Sequence, residues 1–178
     1  ISWGILLLSS WGVADFLARL CSVRIGSVPT AFMVQILGLL VPVIALGISL
    51  CFGFSLDVDV IKTVLLSLLT GGALGLAYAL YYTGFERGSV SIVSSVASAW
   101  LVVTILIAAL VFGEAVTLGQ SLLISVVLLG ILSIGLNQQE LGGSESGIRY
   151  GLGAMLLLGT ALAIWAPLTE AAGALVAV

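Results

Sequence analysis

No histidine occurs in this chain. An imidazole general base and a His-ligated metal are therefore excluded. Charge is almost as scarce: five Lys/Arg and eight Asp/Glu make up 7% of 178 residues, where a soluble domain carries about a quarter. Five basic residues cannot build a nucleic-acid-binding face, and so few charges cannot cover a water-facing surface. The net charge of −3 says little alone, because in a membrane the position of each charge decides its effect. Two cysteines are present, Cys21 and Cys51. They fall near the ends of consecutive apolar runs, on opposite sides of any membrane those runs cross, and are not expected to pair. Catalytic signatures are missing too: no GxSxG, no HExxH, no P-loop, and no close pair of Cys or carboxylates within the runs. An intramembrane enzyme is the least supported class. Without a P-loop, a carrier has to use an ion gradient or exchange. No cofactor and no metal are expected.

What the chain does have is apolar length. It is 61% hydrophobic, with a mean hydropathy of +1.35. The apolar runs are roughly 1–20, 30–54, 61–82, 89–112, 118–136 and 150–172. A helix of about 20 residues crosses the ~30 Å hydrocarbon core. Open sheet edges cannot sit in lipid, and these runs do not alternate as barrel strands do. The fold expected is an all-α membrane protein, a polytopic helical bundle. Connections such as GEAVT and TGFERGS are short, so each helix packs antiparallel to its predecessor. The GEAVT turn is chemically explicit. Gly113 suits the left-handed position that ends one helix, and Thr117 with Gln120 makes a capping box that starts the next.

Residues 137–147, NQQELGGSESG, form the one longer polar connection and read as a linker. After it the opening pattern returns. ISWGILLLSSWGVA (1–14) and IRYGLGAMLLLGTA (148–161) align without gaps, matching Ile1/Ile148, Trp3/Tyr150, Gly4/Gly151, Gly12/Gly159 and Ala14/Ala161. Five spans per unit is odd, so a second copy enters the membrane inverted. The expected organisation is a five-helix transmembrane repeat over 1–136, the linker, and the first helix of a second repeat over 148–178. The chain begins with Ile and stops inside an apolar run, so a fragment is expected, its partners including a missing C-terminal repeat.

The stretch from Tyr81–Tyr82 through Glu86–Arg87, the Ser/Ala run 89–99, Gly113–Glu114, Thr117, Gln120 and Gly130 resembles the EamA-type repeat of the drug/metabolite transporter superfamily. One departure is Leu101, where many members carry a mid-helix proline. The resemblance implies ten helices in the whole protein, a cytoplasmic N-terminus and transport of a small solute. The distribution of charge opposes that orientation. Arg19, Arg24, Arg87 and Arg149 share one side and Lys62 takes the other, so the positive-inside rule favours the reverse placement.

Polar groups inside apolar runs are costly and usually face a bundle interior. Asp15 stands out, with Arg19 one turn on. Two readings stand side by side: an i,i+4 ion pair reaching toward the interface, or a carboxylate facing a cavity and coupling an ion. Gln35 and Glu170 are weaker cases. Glu114 and Glu86–Arg87 read as boundary charges. Trp100 lies mid-run rather than at an interface, where tryptophan is favoured. Its N–H needs an acceptor, so it is packed, lipid-facing or in a cavity wall, with Ser94 at a similar angular position. Trp11, Tyr78, Tyr81 and Trp165 could complete an aromatic substrate-binding lining or be core packing. Small residues four apart, Gly71/Gly75, Ser91/Ser95/Ala99 and Ser121/Ser125, suit close helix approach. Pro42 and Pro167 interrupt backbone bonding and mark kinks or hinges.

The function expected is a secondary transporter in a multi-pass cell-membrane setting, with lipid and a small-molecule solute as partners and room for a homo-oligomer. A non-transporting membrane scaffold is the alternative from another class.

Overall fold

The computed structural model describes residues 2–51, 60–137 and 144–172. Most of the linker (138–143), Asp57, and the side chains of Pro42, Pro167 and Glu170 lie outside what it describes. Among the described residues seven helices follow one another: α1 (Ser2–Ile25), α2 (Ser27–Cys51), α3 (Val60–Arg87), α4 (Val90–Ala97), α5 (Trp100–Val111), α6 (Leu118–Leu136) and α7 (Glu145–Ala172). Among the described residues, Gly4–Ile25, Val90–Val111 and Glu145–Trp165 are long and apolar enough to cross a membrane, and Ser27–Leu40 and Leu118–Ile134 are shorter apolar stretches. Leucines on the outer surface are widely exposed, Leu110 by 84% and Leu118 by 78%. Lipid satisfies such a surface; water does not.

The turns follow from local chemistry. Gly113 has φ 71°, and the N–H of Glu114 returns to the Ala108 carbonyl at 3.2 Å, closing the end of α5. Thr117 and Gln120 form the reciprocal capping box at the start of α6. Between α1 and α2 the connection is tighter than the expected nine residues, because Gly26 alone turns the chain at φ 95°. Pro29 sits within the first turn of α2, where a missing N–H costs no helical bond. Both α2 and α7 run on through Pro42 and Pro167 as helix.

The fourth apolar run differs more. Expected as one helix over 89–112, it breaks at Ser98–Ala99 although no proline is present. Ala99 donates to Val96 at 3.2 Å, and Val102 donates to Ala99 at 2.9 Å, two tight i→i−3 bonds of the 3₁₀ kind. The break lies against α7. A Cβ on Gly159 would come 2.6 Å from the Trp100 carbonyl oxygen, so the two backbones pass in direct contact there. Thr104 bridges the crossing, donating to the Trp100 carbonyl at 3.2 Å and lying 3.0 Å from that of Gly159.

Helix α7 is the centre of the bundle, packed against α3, α4 and α5. Gly153 meets Leu80 and Gly84 meets Tyr150, so α7 runs antiparallel to α3. Asp15 meets Tyr81 and Arg19 meets Phe85, so α1 runs parallel to α3. It follows that α1 and α7 point in opposite directions. The spacings expected to seat helices do so in part: a Cβ on Gly75 would come 3.6 Å from Gln35 of α2 while Gly71 faces open space, Ala99 is buried while Ser91 and Ser95 are exposed, and Ser121 and Ser125 bond within their own helix. Glycines 84, 88, 147, 151, 153 and 159 make the nearest approaches.

Candidate functional site

On α1, residues 15, 18, 19 and 22 recur at helical spacing and turn one side toward α3. Ala18 and Ser22 on that side are buried, and Asp15 is half-buried. The facing end of α3 carries Tyr78, Tyr81, Tyr82 and Phe85. Their i,i+4 pairs meet as tilted rings along one face: Tyr81–Phe85 centroids are 4.4 Å apart and Tyr78–Tyr82 centroids 5.9 Å. Tyr81 and Tyr82 are buried in the main apolar cluster with Ala18, Ala31, Val93, Ala97 and Ala154.

Into this wall reaches one carboxylate. The Tyr81 hydroxyl donates to Asp15 Oδ2 at 2.8 Å. A hydrogen bond to an ionised acceptor contributes roughly 1.5–3 kcal/mol. The alternative expected from sequence, an ion pair between Asp15 and Arg19, is not formed. Arg19 instead donates to the Phe85 and Gly88 carbonyls, satisfying acceptors left at the C-terminal end of α3. Its positive charge also lies where the α3 dipole is negative. Among the described residues the ion pair is Arg149–Glu145, exposed, at 2.5 Å.

The same end of α3 is held from the other side. Ser144 donates to the Arg87 carbonyl and accepts from the Gly147 N–H at 3.1 Å, so it caps α7 and ties it to α3. Arg87 lies 5.0 Å over the Tyr150 ring. On α2, the Ser27 and Thr83 hydroxyls pair at 2.9 Å.

The residues singled out from sequence fall in different places. Asp15, Tyr78 and Tyr81 come together where α1 meets α3. Trp11 is one turn before Asp15 and 56% exposed. Ser94 is on α4, its hydroxyl directed to the Ser91 carbonyl of its own helix. Trp100 is half-buried at the first position of α5. Trp165 is on α7, and the α3–α7 register puts it roughly three turns from Tyr78. Tyr82, Phe85 and the Arg19 contacts complete the site and were not singled out. The spacing of 78, 81, 82 and 85 is the signal that could have found the aromatic wall. A cleft of about 220 Å³ opens elsewhere, between α5, the 113–117 turn and α6, and is lined by Thr104, Phe112, Glu114 and Gln120 among others.

A carboxylate half-buried in a span, facing a neutral hydroxyl and free of its nearest cation, can exchange a proton or bind a cationic group. Residues 1–136 match the family model described as the EamA-like transporter family. The chain belongs to that family. As an EamA-like protein it is a helical membrane protein, and its family is one of membrane transporters of the drug/metabolite type. Comparison with curated proteins gives no match, and comparison with solved structures gives none either.

Proposed function

We propose that this EamA-like chain contributes one repeat, and the opening helix of an inverted second, to a secondary transporter of a small organic solute in the cell membrane. Transport proceeds by alternating access, and Asp15 is the ion-coupling carboxylate. The observation that carries this reading is the placement of Asp15: within a span, half-buried, bonded to Tyr81 and not to Arg19. The opposite directions of α1 and α7, with their matched openings, support the inverted arrangement. Such a carboxylate is costly in lipid and is retained where it faces a path for ions or solutes.

The test is a solute-uptake screen on the whole protein in proteoliposomes, with and without an imposed pH gradient. Uptake of at least one solute class that rises with the gradient is expected. Leakage equal to that of empty vesicles for every solute, in both conditions, points to the scaffold reading instead.

A further inference from the structure

Tyr81 was a candidate for a substrate-binding lining, but its surroundings assign it a different part. Its residue is 7% exposed, with tilted ring contacts to Phe85 and Tyr82, so its ring is covered by protein. What it presents is one hydroxyl, and that hydroxyl is spent on Asp15. The groups that could compete for the carboxylate are accounted for among the described residues. Arg19 is bonded to the Phe85 and Gly88 carbonyls. Tyr78 and Tyr82 are close enough to feel the Asp15 charge, but the contacts they make are with aromatic rings. Asp15 is thus held by a single neutral donor mounted on a rigid wall.

We propose that Tyr81 is a positioning residue, whose hydroxyl holds the Asp15 carboxylate against α3 and stabilises its charged form against the coupled proton. The proposal rests on the coupling role given to Asp15 above. The bond is to Oδ2, and among the described residues Oδ1 stays open, so the hydroxyl opposes protonation by favouring the ionised carboxylate rather than by covering it. Removing it makes the carboxylate easier to protonate without changing the ring packing.

The experiment uses the whole protein in lipid vesicles and a membrane-permeant carbodiimide, which reacts with carboxyl groups in apolar surroundings. Modification at Asp15 is counted by peptide mass spectrometry, with Glu114 as the internal reference. In Tyr81→Phe the rate at Asp15 should rise about tenfold, the factor that 1.4 kcal/mol represents, while the rate at Glu114 stays at the parental value and the melting temperature falls only by what one lost hydrogen bond costs. An unchanged or lower rate at Asp15 overturns the assignment, and so does a loss of thermal stability with the rate unaltered, since both describe a ring that only packs. Should Tyr81→Phe fail to insert, infrared spectroscopy of the ring-labelled protein replaces it. Asp15→Asn should then shift one tyrosine band, and no shift overturns the proposal. The two readings fail separately. Gradient-driven uptake that survives in Asp15→Asn removes the coupling role, whereas equal carbodiimide rates remove Tyr81 alone.

Discussion

Helices α1 and α7 open with the same pattern and end up in different situations. On α7, Gly151 lies against the Val93 carbonyl and Gly159 against Trp100 and Val103, so both glycines seat the helix on α4 and α5. On α1, the matched Gly4 and Gly12 have nothing within 4 Å. The matched glycines are therefore docking positions on one helix and bare positions on the other. A second contrast concerns charge. Where α1 has Asp15 and Arg19, the matched places on α7 hold Leu162 and Ala166. One copy of the pattern has kept the packing role and the other carries the ionisable groups. The proposed chemistry accordingly falls on the α1 side, where α3 supplies Tyr81 and receives Arg19.

The largest expected effect breaks the glycine contrast. Gly159→Leu pushes a side chain into the Trp100 backbone, which has no rotamer to yield, and should cost about 3 kcal/mol or more of stability. Gly12→Leu adds a side chain where the neighbourhood is open, and should stay within about 0.5 kcal/mol. Thermal melting in detergent micelles compares the two directly. Equal losses would mean that the α1 face is covered in the whole protein as that of α7 is, and the contrast would disappear.

A smaller effect is expected at Arg19. Arg19→Gln keeps part of the hydrogen bonding to the α3 end but removes the charge, and should lower stability by about 1–2 kcal/mol. If Arg19 instead served chiefly as the Asp15 counter-charge, Asp15→Asn and Arg19→Gln would show strong coupling in a double-mutant cycle. Near-additive values are expected from the contacts observed.

How much of this could be read from the sequence depends on the range of each interaction. The 113–117 turn was legible because its atoms are neighbours in the chain: a left-handed glycine, then a threonine and a glutamine three residues apart. The α1–α2 connection was judged too long because the apolar runs stop at 20 and resume at 30, whereas the helices extend through the polar residues between them to Ile25 and from Ser27. The break at Ser98–Ala99 had no local signal at all. It coincides with the close approach of Gly159, about sixty residues later, a backbone contact that only the packed bundle creates. The destination of Arg19 was equally hidden. On an isolated helix its nearest partner is Asp15, one turn away, and only the register of α1 against α3 offers the carbonyls of Phe85 and Gly88 instead. The aromatic wall was half legible, since Tyr78 and Tyr81 were weighed for the site but their ring partners Tyr82 and Phe85 were not. Of the two readings given for Tyr81, lining or packing, its burial favours packing.

The assignment of chemistry to the α1 side rests on Asp15, and one measurement bears on it most directly. Solute uptake driven by a pH gradient is to be compared between the parent protein and Asp15→Asn in proteoliposomes, at equal reconstituted amounts and with matched melting temperatures. Gradient-driven accumulation should be lost in Asp15→Asn, with any exchange that needs no gradient retained. Accumulation at the parental rate and with the parental pH dependence would contradict a coupling role for Asp15 and leave it as a structural acceptor for Tyr81.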